Sequence, residues 1–240
     1  MDREKRRIGT VIAFPFLMLW LLVSTVAYGS ACIVGGIFSR KFAQYFARAW
    51  CRHLLCLLGI RVIVKGGEKL AGRERYVFFV NHQSALDIPV LYSGLPYPLC
   101  FIAKKELFLI PFFGWGMAAV GHVNIDRSSP RKARESLARG VERLKKNFFS
   151  LIIFPEGTRS VDGTLGEFKQ GSFTLALDAG VTVVPVALRK ANERLPKKSL
   201  LVIPGEVYLD ICDPIVPVGM EKSELAGRVR EEIAKIVKSV

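Results

Sequence analysis

His82 and Asp87 are the pair best placed to do chemistry in this sequence. His82 follows an apolar run, residues 76–80, that is short, aromatic and β-branched and so predicts a buried strand. Asp87 comes five residues later. Residues five apart do not share a helix face, because neighbours on one face are three or four apart. The two side chains meet if His82 lies on a strand-to-helix turn and Asp87 in the first helical turn. The carboxylate then fixes one imidazole tautomer and stabilises the imidazolium formed when the ring takes a proton. A second reading stays open. Ser84-x-x-Asp87 resembles a capping box, and Asp87 shortly before Pro89 suits a helix start, which would leave His82 as a solvated side chain. The other histidines are His53 and His122, and His122 reads as structural.

Three further clusters supply charge. Residues 151–154 predict a second buried strand that delivers Glu156-Gly157-Thr158-Arg159. The planar fork of Arg159 suits a phosphate. Glu156 is placed to accept a hydroxyl's hydrogen bond or to hold Arg159, and Gly157 permits close backbone approach. The same four residues also fit a plain turn with a surface ion pair. Arg127 follows a strand-like alternation and precedes a helix N-terminus, where anions are favoured. Lys105 follows another apolar run, 99–103, and offers a cation at the same edge. Loop charges are the competing account of both. Lys169 and Gly171, just upstream of a short helix, are further candidates to reach a phosphate.

These residues need elements to hold them. From residue 61 onward, strand-like runs at 61–64, 76–80, 99–103, 151–154 and 181–188 alternate with amphipathic helices. The helix at 131–147 carries an N-cap and N1 signal in Ser129-Pro130; a second at 172–179 is stopped by Gly180; a third covers 223–237. The alternation predicts an α/β domain over 61–240, a mostly parallel central sheet flanked by helices, with ligands bound beyond the strands' carboxyl ends. Pro185 inside an apolar run predicts an edge or bulged strand.

Residues 8–38 carry no formal charge, a run longer than the roughly 20 residues that cross a bilayer. Residues 42–60 are amphipathic, with Arg48 and Arg52 expected to snorkel towards head groups. Residues 1–60 therefore read as a two-helix membrane hairpin ahead of the α/β domain. A net charge of +14 in a chain that is 50 % hydrophobic fits attachment to an anionic bilayer. The aromatics sit in apolar runs rather than among the basic residues, which argues against nucleic acid. The five cysteines are odd in number and form no C-x-x-C pair, which disfavours a disulfide framework or zinc site and favours a reducing compartment. No Gly-rich phosphate-binding motif is present.

In order along the chain, Asn81-His82-x-x-x-x-Asp87, Gly121-x-x-x-Ile125-x-Arg127, Phe154-Pro-Glu-Gly-Thr-Arg-Ser160 and Val184-Pro185-Val186 together resemble the motifs of the glycerolipid acyltransferase family. The resemblance covers roughly residues 60–210 and is closest to bacterial members that acylate lysophosphatidic acid. It implies transfer of a fatty acyl group from acyl-CoA or acyl-acyl carrier protein to the sn-2 hydroxyl, with no cofactor beyond that co-substrate. His82 would be the general base and Asp87 its orienting acid. Glu156, Gly157, Thr158 and Arg159 would hold the acceptor, with Arg127 and Lys105 adding positive charge. Backbone N–H groups near the His82 turn are the expected oxyanion stabiliser. The expected location is the inner (cytoplasmic) membrane, with the site facing the cytoplasm. Two other classes fit parts of the pattern: a membrane-bound thioester or phospholipid hydrolase, and a non-catalytic binder of acidic lipid.

Overall fold

The structure is a computed structural model that describes residues 2–70, 75–126, 129–146 and 149–238. Arg127, expected at the site, lies outside them. The chain opens with two helices, α1 (Asp2–Phe38) and α2 (Arg40–Leu57), which pack on each other. The Ser39 side chain accepts from Lys41 N and starts α2. Strands β1 (Ile60–Lys65), β2 (Val77–Val80), β3 (Leu99–Lys104), β4 (Val123–Ile125), β5 (Ser150–Ile153), β6 (Val183–Arg189) and β7 (Gly205–Ile211) form one sheet in the order β1-β7-β6-β2-β5-β3-β4. Every neighbouring pair is parallel except β6 with β7. The helices between and after the strands are α3 (Asp87–Gly94), α4 (Phe113–Val120), α5 (Pro130–Lys146), α6 (Gly171–Ala179), α7 (Ala191–Arg194) and α8 (Lys222–Val237).

Period-two alternation divides the core between the two sheet faces. On β2, Phe78 and Val80 join one apolar cluster with Cys51 and Leu55 of α2 and Val90 and Leu91 of α3. Val77 and Phe79 join the other, with Phe173 and Ala176 of α6 and Leu225, Val229 and Ile233 of α8. Phe79 stacks on Phe173 at 4.3 Å between ring centroids. Burial of each such side chain contributes about 1.5–3 kcal/mol. The helix after β2 thus lies on one face and the helix after β5, its parallel neighbour, on the other. Such a divergence opens a crevice at the carboxyl ends of the two strands, the place where open α/β sheets bind ligands.

Several details differ from the sequence expectation. β7 is interleaved with Glu206 and Asp210, so it forms no continuous apolar run; its alternating Val207, Leu209 and Ile211 are buried in the core, and Asp210 is buried too, paired with Arg189. Pro185 is not on an edge, because β6 lies between β2 and β7. Its carbonyl accepts from Cys212 N just past the last antiparallel rung, Val186 to Ile211, so its missing N–H falls where that ladder ends. Arg48 does not reach outward. Its guanidinium donates to the carbonyls of Tyr92, Leu95 and Tyr97, satisfying groups around the C-terminal end of α3. Gln44, also buried on α2, donates to the carbonyls of Leu99 and Val120 and accepts from Leu99 N. These polar ties fasten α2 to β3, α3 and α4.

Candidate active site

At the end of β2 the Asn81 side chain takes over from the backbone ladder. Its Nδ2 donates to Leu188 O at 2.9 Å and its Oδ1 accepts from Leu188 N at 2.7 Å. The chain leaves the sheet on the next residue, His82. Five residues on, Asp87 is the first residue of α3, and its Oδ2 lies 2.7 Å from His82 Nδ1. The same oxygen accepts from Gln83 N at 2.8 Å and Ser84 N at 3.0 Å. Asp87 is not the N-cap of α3, a place taken by Leu86 without a side-chain cap bond. Its one oxygen closes the turn by reaching back to Gln83 N and Ser84 N, the latter bond being half of the expected capping box. It also holds the ring of His82, which is not left solvated. An ionised carboxylate only accepts, so the ring proton sits on Nδ1 and Nε2 is left as the basic nitrogen. Asp87 is fully buried, the His82 side chain is 21 % exposed, and the ring stacks on Phe154 at 4.1 Å.

The strand that delivers Phe154 also delivers the second cluster. Glu156 Oε1 accepts from His82 N at 2.8 Å and Oε2 from Gly166 N at 2.9 Å. The His82 carbonyl accepts from Ser160 N at 2.8 Å. Glu156, expected to take a substrate hydroxyl or hold Arg159, has both oxygens on backbone donors and ties the two loops together. Burial raises its carboxyl above its ordinary value, while the two N–H bonds act in the opposite direction. Gly157 adopts φ +68°, and a Cβ there would sit 2.9 Å from Lys169 Nζ, so the lysine lies directly over the turn. Thr158 is exposed. Among the described residues the Arg159 guanidinium has no hydrogen-bond or ion-pair partner, while its carbonyl accepts from Lys197 Nζ at 2.7 Å.

Lys105 sits just past β3, 3.1 Å from Asp126 Oδ2, with Lys132 Nζ 3.9 Å from the same oxygen. Its charge is shared with that carboxylate rather than left open like that of Arg159. The backbone donors of the His82 turn are occupied: His82 N by Glu156, Gln83 N and Ser84 N by Asp87. The expected oxyanion stabiliser is thus not found at these three positions. His122 is buried on the wall of a nearby cavity. Its Nδ1 accepts from Phe101 N and its Nε2 pairs with Tyr92 Oη, both at 3.2 Å, in keeping with a structural role.

An apolar cavity of about 200 Å³ lies among α1, α2, α3 and α4. Ala85, Ile88 and Pro89, from the turn and helix that carry His82 and Asp87, form one side, and Cys51, Phe113 and Met117 form part of the rest. The sequence did not disclose this cavity, nor the positioning roles of Asn81, Gln83 and Lys197. Each depends on partners far along the chain, as when Gln83 Oε1 accepts from Ala191 N.

Residues 61–189 match the family model described as Acyltransferase. Over 200 residues the chain is 38 % identical to the 1-acyl-sn-glycerol-3-phosphate acyltransferase LPAT1, chloroplastic, of Arabidopsis thaliana, covering 82 % of this chain and 55 % of that one. The chain thus spans about half the length of this plant relative. It is 35 % identical over 212 residues to the 1-acyl-sn-glycerol-3-phosphate acyltransferase of Pseudomonas aeruginosa, covering 85 % of this chain and 81 % of the relative. The crystal structure of the 1-acyl-sn-glycerophosphate (LPA) acyltransferase PlsC from Thermotoga maritima matches with a TM-score of 0.86 at 29 % identity, over 98 % of this chain and 97 % of that one. The matched segment runs from β1 through β6, the part of the fold that builds the edge carrying His82 and Arg159, and the chain belongs to the acyltransferase family.

Proposed function

We propose that the protein moves a fatty acyl group from a thioester carrier, coenzyme A or acyl carrier protein, to the sn-2 hydroxyl of 1-acyl-glycerol-3-phosphate, forming phosphatidic acid and the free thiol. The names of the relatives point to this acceptor. The observation that carries the chemistry is the 2.7 Å contact between His82 Nδ1 and a fully buried carboxylate, on a turn tied to the one that bears Arg159. Nε2 takes the hydroxyl proton as the oxygen attacks the thioester carbonyl. The C–S bond then breaks, and the imidazolium returns the proton to the departing thiolate. Asp87 stabilises that imidazolium. No acyl-enzyme is needed. Ser84 Oγ donates to Leu195 O and accepts from Leu86 N, which fits a structural hydroxyl rather than a nucleophile.

Arg159 binds the acceptor's phosphate, aided by Lys169 beside the Gly157 turn, by Lys105 just past β3, and by Arg127. Thr158 and the Gly157 backbone line the glycerol, and Glu156 acts as a positioning residue that holds His82 N. The apolar cavity takes the acyl chain. The chain is held at a membrane by α1, whose segment Pro15–Phe38 has mean hydropathy 2.0 and is only 17 % buried. Together, α1 and α2 form the anchoring hairpin. The site faces the cytoplasm of the inner membrane, in keeping with the excess of Lys and Arg and with free thiols at Cys32, Cys51, Cys56, Cys100 and Cys212.

The test is an assay in detergent micelles with radiolabelled lysophosphatidic acid and, in separate arms, acyl-CoA and acyl-acyl carrier protein. Phosphatidic acid is the expected product in at least one arm. Free fatty acid released equally well without the acceptor would mean a hydrolase instead.

A further inference from the structure

The segment joining α7 to β7 has no regular structure, yet it is held at several points. Ile203 N donates to Arg194 O at 2.8 Å, Leu201 N to Ser199 Oγ at 3.0 Å, and Ser199 N to Pro196 O at 3.0 Å. In this ordered segment Leu195 and Val202 pack against the core. Leu200, Leu201 and Ile203 point the other way, with exposures of 72 %, 52 % and 46 %. Lys197 and Lys198 precede them, one serine away. Three large apolar side chains left in water within four positions are more than the scattered surface leucines of a soluble domain.

Their neighbours say what covers them. Gly205 N donates to Gly59 O at 3.0 Å, and Pro204 Cβ lies 3.0 Å from where a Cβ on Gly59 would be, so the loop abuts the end of α2. There Leu57 is exposed. Across the helix pair, Trp20 Nε1 donates to His53 Nε2 at 2.9 Å, which brings this end of α2 beside the part of α1 that exposes Phe16, Leu19 and Trp20. The apolar surface of the anchor is thus extended through Leu57 to the loop. The flanking lysines complement anionic head groups.

We propose that the loop between α7 and β7 is a second membrane contact of this protein. Leu200, Leu201 and Ile203 enter the interfacial layer of an anionic bilayer, and Lys197 and Lys198 sit among its phosphates. The inference rests on the reading of α1 as the membrane anchor. It adds a function for the site, because Lys197 also holds the Arg159 carbonyl. A loop seated at head-group depth fixes Arg159 at the level of an acceptor phosphate still in the bilayer.

The experiment uses the full chain with Cys56→Ser, since Cys56 is the exposed cysteine and the other four are buried. Single cysteines replace Leu201, Phe38 on α1, and Glu231 on α8, the last on the sheet face opposite α2. Each is labelled with an environment-sensitive nitrobenzoxadiazole, and the protein is reconstituted in phosphatidylglycerol vesicles carrying a nitroxide near the head group. The expected result is quenching at 201 and 38 that exceeds quenching at 231 several-fold, with the effect at 201 reduced in neutral phosphatidylcholine. Quenching at 38 with 201 no different from 231 overturns the loop proposal and leaves the anchor reading in place. No quenching at 38 overturns both. A response at 201 that needs no vesicles and grows with protein concentration assigns the patch to a second copy and also overturns the proposal.

Discussion

Replacing Asp87 with Asn separates the two roles that its Oδ2 combines. If the amide oxygen keeps the Oδ2 position, it still accepts from His82 Nδ1, Gln83 N and Ser84 N. The amide NH₂ then falls where Oδ1 is now, a buried atom without a hydrogen-bond partner among the described residues. That unsatisfied donor costs about 1–3 kcal/mol, well inside the roughly 5–15 kcal/mol of a typical domain. The variant therefore folds, with a melting temperature lowered by a few degrees. The flipped amide is worse, since it points a donor at two backbone N–H groups. Activity loses more. An imidazolium and a carboxylate about 4 Å apart attract by about 4 kcal/mol at an effective dielectric near 20. Only part of the ring's charge has developed at the transition state, so about 2–4 kcal/mol is lost, or roughly 30- to 1,000-fold in kcat. The assay is acyl transfer under saturating acceptor, paired with thermal unfolding of the same sample. A folded Asp87→Asn protein within about threefold of the parent, a difference under about 1 kcal/mol, would refute the orienting role and leave Asp87 as a turn-closing residue only.

Glu156→Gln turns one carboxylate oxygen into a donor facing either His82 N or Gly166 N, at a cost of about 1–3 kcal/mol. Melting should fall and kcat drop with little change in the acceptor's KM, whereas a raised KM at constant kcat would put this carboxylate on the acceptor. Arg159→Ala should raise the KM for lysophosphatidic acid roughly tenfold or more, the loss of a charge-assisted contact of about 1.5–3 kcal/mol, and leave the donor's KM in place; unchanged acceptor kinetics contradict the phosphate assignment. Ala47→Phe places a ring in the cavity that Ala47 lines, so kcat/KM should fall more for palmitoyl than for octanoyl donors. Equal losses for both would remove the acyl chain from this cavity.

The part of the site that could be seen in the sequence is the part that is local. His82 and Asp87 are five residues apart, and the strand end and helix start between them follow from chain geometry alone. The parallel strands at 76–80, 99–103 and 151–154 could be seen because burial on both faces makes each a short apolar run. β7 could not, since its charged residues alternate with its core ones. Glu156 looked like a ligand because nothing in Pro155-Glu156-Gly157 shows that β5 lies beside β2, which is what carries the carboxylate to the backbone of His82. Arg48 looked like a head-group contact for the same reason. Its partners, the carbonyls around the end of α3, lie more than forty residues away.

Whether His82 is the base for acyl transfer is decided by the turnover of His82→Ala in the lysophosphatidic acid assay, with thermal unfolding recorded alongside. A general base at His82 means a fall in kcat of about 10²–10⁴-fold with melting close to that of the parent, because the ring is partly exposed and its main partner, Asp87, keeps two backbone bonds. Full activity in a folded His82→Ala protein would contradict it.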